Sequence, residues 1–208
     1  MSLTTRRKQA TEQDIAHAAQ TLFVERGVAE TTVEAIAERA EVSVRTFYRY
    51  FRSKQDSVIP LLTFGAQRWQ NLLNDALQGT SSSRALPEAI EAATREAIAG
   101  NGATDAMPFE LVRVLLQAAE SDTALRAVWL HVNDHSERQL AQILTSGEPP
   151  AVAQYTAQQG RLLAAAATTA IRVSIENWAL ASVQADPQTL AEDAAQVARL
   201  MTSAIYLR

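Results

Sequence analysis

The chain has 208 residues, a hydrophobic fraction of 47%, only 7 Gly and 6 Pro, no cysteine and a formal net charge of −4. That length suffices for one large domain or for a small domain leading into a larger one, and a composition poor in Gly and Pro points to helix. Without cysteine, disulfides, thiolate metal sites and cysteine nucleophiles are excluded, and a reducing cytoplasm is the expected setting.

Arg6, Arg7 and Lys8 stand near the start, but the apolar stretch of a secretory signal does not follow them, so no export is expected. Apolar residues at Ile15, Ala19, Leu22 and Phe23 keep helical spacing, with Thr11 as the predicted N-cap and Gly27 as the stop. Thr31-Thr32-Val33-Glu34 has the form of a capping box between Thr31 and Glu34, opening a short second helix that buries Val33, Ile36, Ala37 and Ala40. After Glu41-Val42, Ser43 caps a third helix whose inward face is Phe47 and Phe51, which leaves Val44, Arg45, Thr46, Tyr48 and Arg49 outward. Two short helices meeting in a tight turn are the pattern of a helix-turn-helix.

Ser53 caps a further helix, which Pro60 is expected to kink or end before a longer stretch from Leu61 to Leu77. A polar loop, Gly79 to Ser83, separates this from a helix over Pro87 to Ala99, which Gly100-Asn101-Gly102 breaks. Helices are predicted over 106–119 and 122–145, with Gly147 to Pro150 ending the block. The last two helices, 151–183 and 187–207, are separated by Asp186-Pro187, an N-cap followed by an N1 proline. No strand signal and no internal repeat occur. The fold class is therefore all-α, about nine helices, with a helix-turn-helix domain over residues 1–54 and a larger helical domain over 55–208.

Both final helices have a continuous apolar stripe: Leu162, Ala166, Thr169, Ala170 and Val173 in one, and Leu190, Ala194, Val197, Met201 and Ala204 in the other. Such a pair is half of a four-helix bundle, which a second copy about a two-fold axis would complete as an isologous homodimer. The same stripes could equally pack within one chain, because periodicity does not say whose core a stripe faces. The most apolar run, Leu162 to Ile171, is far shorter than the ~20 residues of a membrane span, so no membrane partner is expected.

Charge is unevenly placed. Residues 1–54 hold nine Lys or Arg against seven acids (+2), and residues 55–208 hold ten against sixteen (−6). Within VSVRTFYRYFRSK, residues 42–54, stand four cations, four aromatics and no acid. A local basic patch of this kind can track a polyanion even on an acidic protein.

From Thr11 to about Leu61, with Thr31-Thr32-Val33, Ile36-Ala37, Val42-Ser43 and then Thr46 to Lys54, the sequence resembles the DNA-binding domain of the tetracycline-repressor (TetR) family. One departure is Glu41, where the family usually has a glycine before the turn valine. The resemblance implies a homodimer through the last two helices, most often a repressor, that binds a palindromic operator on double-stranded DNA and is released by a small-molecule effector. A ligand-dependent activator of the same fold is the alternative. In a helix-turn-helix the start of the second helix enters the major groove, and Arg45 there can form two hydrogen bonds to guanine O6 and N7. Val44 and Thr46 offer methyl contacts to thymine or bonds to phosphate. The resemblance implies phosphate contacts from Thr32, Tyr48, Tyr50 and Lys54, strengthened by Arg49 and Arg52, with Arg6, Arg7 and Lys8 as a flexible arm towards the backbone or minor groove.

Candidate ligand residues lie among Phe64, Trp69, Met107, Phe109, Leu111, Arg113, Trp129, Asn133 and His135, with Trp178 on the penultimate helix. They are the aromatic and polar side chains that a mostly apolar effector cavity would use, and an inward Arg113 would suit an anionic head group. By helical spacing each aromatic also fits a core position. His131 and His135 share a helix face, but without cysteine or a well-placed acid they read as an ordinary pair, and neither metal nor cofactor is expected. Glycine-rich phosphate loops, a G-x-S-x-G elbow and a recognisable acid–base set are missing from the sequence, which disfavours an enzyme. A helical interaction protein without operator binding is the remaining alternative.

Overall fold

The computed structural model describes residues 3–78, 85–100, 109–146, 152, 155–181 and 186–206. The predicted breaks at Gly79 to Ser83, Asn101-Gly102 and Gly147 to Pro150, the start of the 106–119 helix with Met107, and part of the 151–156 segment lie outside the described residues. Among the described residues the structure has nine α-helices: α1 (Leu3–Glu30), α2 (Val33–Arg39), α3 (Val44–Tyr50), α4 (Ile59–Gln78), α5 (Ala85–Ala99), α6 (Phe109–Ala118), α7 (Thr123–Thr145), α8 (Ala157–Leu180) and α9 (Pro187–Tyr206). A 3₁₀ turn, Asp56–Val58, leads into α4.

Several helix ends differ from expectation. The first helix begins before Thr11, whose hydroxyl donates back to the Arg7 carbonyl at 3.1 Å, so Arg6, Arg7 and Lys8 are exposed on a helix and not on a flexible arm. Gly27 is where helical geometry breaks, with φ 81° and ψ 164°, a region closed to side chains with a Cβ. The N-cap of α2 is Thr32, not Thr31: its Oγ1 accepts from the Ala35 amide at 3.2 Å. Thr31 is instead fully buried, its hydroxyl directed at the carbonyls of Gly27 (2.8 Å) and Leu22 (3.2 Å). Pro60 stands second in α4, where its missing N–H leaves no bond unmade, so it begins that helix and does not break it. α8 starts at Ala157 behind a complete Thr156–Gln159 capping box, and Asp186 caps α9 as expected, accepting from the Gln188 amide at 3.1 Å.

The chain divides into two compact units that do not follow the 54/55 boundary: Met1–Phe64 with Met107–Leu130, and Gly65–Ala106 with His131–Arg208. In the first, α6 packs on α1, and α2 packs on α1 and α3. Its buried side chains include Ile15, Ala19, Phe23, Ile36 and Phe47 at 0% exposure. Phe47 meets Phe51 with ring centroids 5.7 Å apart, which fixes the end of α3 to the core. An ion pair of 2.6 Å between Arg39 and Glu25 joins α2 to α1 on the surface.

In the second unit α9 packs against both α5 and α8. One cluster unites Trp69, Leu73, Ile90, Leu140, Leu163 and Ala198 with their neighbours. The buried Gln70 amide donates to the Ser136 carbonyl at 2.9 Å, satisfying a polar group that burial would otherwise penalise. Gly160 permits close approach at the start of α8, since an added Cβ there would overlap Thr145 Cγ2.

Candidate DNA-reading site and ligand region

The turn between α2 and α3 is built from main-chain hydrogen bonds. The Val42 amide reaches back to the Ala37 carbonyl (2.9 Å) and the Glu41 amide to the Glu38 carbonyl (3.1 Å), the paired bonds of a Schellman end. That end requires a left-handed residue, and Glu41 takes it with φ 53°. The turn therefore forms without the glycine usual in its place. Ser43 then caps α3, its Oγ accepting from the Thr46 amide at 3.0 Å and lying 2.9 Å from the Thr46 hydroxyl.

These restraints orient the short α3. Phe47 faces inward and supports Tyr48 edge-on, ring centroids 5.5 Å apart, while Tyr48 itself is 55% exposed. Arg45 and Arg49 are exposed, Val44, Thr46 and Tyr50 half-buried, and Thr32 exposed at the start of α2. The Arg49 guanidinium lies 5.3 Å from the centre of the Tyr50 ring, within cation–π range. Arg45 has no ion-pair partner among the described residues. The outer edge of α3 thus presents uncompensated positive charge, hydroxyls and aromatic edges, a combination suited to a polyanion with readable edges.

Lys54, expected at a phosphate, is placed elsewhere. Its Nζ donates to the carbonyls of Val28 (2.7 Å), Ala29 (3.2 Å) and Thr31 (2.8 Å). An ammonium has three N–H groups, so none is left for a phosphate. The charge instead satisfies carbonyls where α1 ends and α2 begins, a favourable position for a cation. Sequence reasoning also missed its neighbour, Gln55, whose Nε2 donates to Asp122 Oδ2 at 2.6 Å. Asp122 caps α7, with Oδ1 accepting from the Leu125 amide at 3.0 Å. Burial would raise the Asp122 pKa, but the Gln55 hydrogen bond, the Leu125 and Ala124 amides and the charge of Lys54 together hold it below the ordinary value.

The predicted ligand residues fall in both units. In the first, Phe64 is 45% exposed, Phe109 and Arg113 are half-buried, and Leu111 and Trp129 are buried. In the second, Trp69 is a core residue whose indole N–H donates to Thr94 Oγ1 (3.1 Å), while the Thr94 hydroxyl donates to the Ile90 carbonyl (2.7 Å). Asn133 is half-buried and His131 and His135 are exposed; no cluster of metal-binding side chains occurs among the described residues. Trp178 is buried beside a groove of about 400 Å³ between α8 and α9, shared with Ser174, Asn177, Asp193 and Val197. Among the described residues, no helix is long and apolar enough to cross a membrane.

With α2 packed on α1 and the tight turn joining it to α3, the two short helices have the form of a helix-turn-helix. Residues 15–56 match the family of bacterial regulatory proteins, tetR family. The chain is 27% identical over 143 residues to the HTH-type transcriptional regulator TcmR of Streptomyces glaucescens, a match covering 69% of this chain and 62% of that one. Its fold resembles a TetR transcriptional regulator from a Rhodococcus species, with TM-score 0.62, 16% identity and coverage of 94% and 97% of the two chains. It also resembles FadR of Thermus thermophilus, a transcriptional repressor solved with lauroyl-CoA (TM-score 0.56, 24% identity, 95% and 96% coverage). FadR of Bacillus subtilis, solved with stearoyl-CoA, has TM-score 0.56, 20% identity and coverage of 92% and 97%.

Proposed function

We propose that the protein is a cytoplasmic, homodimeric repressor that binds a palindromic operator through α3 and is released by a small hydrophobic or amphipathic molecule. The observation that carries the DNA reading is the outer edge of α3, where exposed Arg45 and Arg49 flank Tyr48 above a fully buried Phe47. In this reading Arg45 meets base edges, Val44 and Thr46 add methyl or phosphate contacts, and Thr32, Tyr48, Arg49 and Tyr50 hold the backbone. The dimer reading is supported by an unusual surface. Leu162, Val173 and Leu180 on α8 and Val197, Leu200 and Met201 on α9 are all exposed, whereas Leu163, Ala167, Leu190, Ala194 and Ala198 of the same helices are buried within the chain. Both earlier packing possibilities for the stripes thus have support: one edge serves the chain's own core, and the other is left for a second copy.

The effector class is supported by two regulators of similar fold that were solved with an acyl-CoA. Ligand would act by favouring a conformation in which the two reading heads no longer match the operator. The test of the DNA reading is Arg45→Ala, assayed on an enriched duplex and on a random-sequence duplex at equal salt. The expected result is a loss of about 1–3 kcal/mol on the enriched duplex and little change in the preference-free binding. An unchanged affinity ratio would remove Arg45 as the base reader.

A further inference from the structure

The groove between α8 and α9 is lined in part by polar side chains that the chain itself leaves unused. Elsewhere on these two helices polar groups have partners within the chain: the Thr168 hydroxyl donates to the Ala164 carbonyl (2.7 Å), the Thr202 hydroxyl to the Ala198 carbonyl (2.8 Å), Arg172 pairs with Glu176 (3.0 Å) and Arg199 with Glu91 (2.8 Å). Asn177 and Asp193 both line the groove and are exposed, and their side chains form no hydrogen bond or ion pair among the described residues. They also interrupt an apolar edge. On α9, Asp193, Val197, Leu200 and Ala204 follow one another at four, three and four residues, all exposed. On α8, Leu162, Ala166, Thr169 and Val173 repeat that spacing, and Asn177 and Leu180 continue the edge four and three residues further. A repeat averaging about 3.5 residues is that of helices packed along other helices. Such an edge fits a partner with the same repeat, and the edge itself supplies one. Under two-fold symmetry residue i of one copy meets j of the other while j meets i, so a face holding one amide donor and one carboxylate acceptor is its own complement.

We infer that Asn177 and Asp193 select the partner and the register of the homodimer: the Asn177 amide of each copy donates to Asp193 of the partner subunit, giving two symmetric, charge-assisted hydrogen bonds inside an otherwise apolar contact. This rests on the dimer reading above. Covering the edge without these bonds would strip water from a carboxylate and an amide and return nothing, which disfavours every arrangement in which the two do not meet. Leu162, Val173, Val197 and Leu200 alone would pack in registers a heptad apart, and on any similar apolar edge, because apolar contact is non-directional. A polar position within a helix seam is what singles out one register and one partner, at some cost in affinity.

The experiment exchanges donor and acceptor in the full-length chain. The variants are Asn177→Asp, Asp193→Asn and the double exchange that combines them, with dimer dissociation constants from sedimentation equilibrium and helix content from circular dichroism. Asn177→Asp sets two carboxylates against each other at both symmetric contacts and is expected to weaken the dimer about a hundredfold at neutral pH. Asp193→Asn leaves two amides that can still pair and should cost about tenfold or less. The double exchange restores donor against acceptor with the roles reversed, and should return the wild-type constant within about threefold. Mixed with wild type and left to exchange subunits, it should form mixed dimers well below the statistical share of about half, counted by native mass spectrometry, since each mixed dimer holds one carboxylate pair. A double exchange no better than Asn177→Asp, mixed dimers at the statistical share, or an Asn177→Asp chain that dimerises like wild type would overturn the proposal. Loss of helix in Asn177→Asp that the double exchange does not restore would mark a role in the fold of the single chain and overturn it as well. Wild type that stays monomeric at every concentration would instead remove the dimer reading first, and this proposal with it.

Discussion

The Lys54 ammonium donates to the Val28 carbonyl across 2.7 Å, tying the residue that follows α3 by four positions to the end of α1. With the further bonds to Ala29 and Thr31, this one side chain closes the three-helix head on itself. A basic residue in the most basic segment of the chain thus acts on the protein's own backbone.

Replacing Lys54 with methionine is expected to destabilise the protein by about 1–3 kcal/mol, because partly buried carbonyls lose their donor. Binding to random-sequence duplex should keep its wild-type salt dependence, since no phosphate contact disappears. A true phosphate contact would instead lower the slope by about one. Titrations at several salt concentrations, alongside urea unfolding, separate the two roles.

Glu41 offers a gain in stability. It is the one non-glycine residue with positive φ among the described residues, at the C′ position of the Schellman end. Glu41→Gly should stabilise by about 1 kcal/mol by removing the Cβ conflict, and Glu41→Val should destabilise by more than that. Thermal unfolding of the two variants would check the sign. Equal melting temperatures for all three would mean that the turn carries no strain.

How much of this was legible in the sequence depends on the range of the interaction. Phe47 and Phe51 were readable as inward because helical spacing places them on one face, and both are buried. Asp186 was readable as a cap because its partner is two residues away. The choice between Thr31 and Thr32 was not readable, since either can cap locally; the break at Gly27 decides it by turning Thr31 into the core. Charge suggested the wrong partner for Lys54, as its acceptors are carbonyls 23 to 26 residues away that carry no mark in the sequence. Gln55 and Asp122 are further apart still, and a lone Gln beside a lone Asp-Thr helix start gives no signal of pairing.

Acid should weaken the fold through its paired carboxylates. Glu91, hydrogen-bonded by Arg95 and Arg199, has a lowered pKa, and Asp122 is lowered despite its burial. A carboxyl with a lower folded than unfolded pKa contributes stability that is complete above the unfolded value and is lost as pH falls through the folded one. The urea midpoint is therefore expected to hold steady down to about pH 5 and to decline below about pH 4. Glu91→Gln and Asp122→Asn should each lower the neutral-pH midpoint and flatten the acid decline. A variant with the wild-type slope would remove that carboxylate from the linkage.

The central claim is that two copies of this chain read DNA together through α3. Its most direct test is selection of duplexes from a randomised pool by the purified protein at fixed moderate salt. Enrichment of an inverted repeat, with half-sites about one helical turn apart, is the predicted result. Enrichment of a single unrepeated site, or of none, would contradict it.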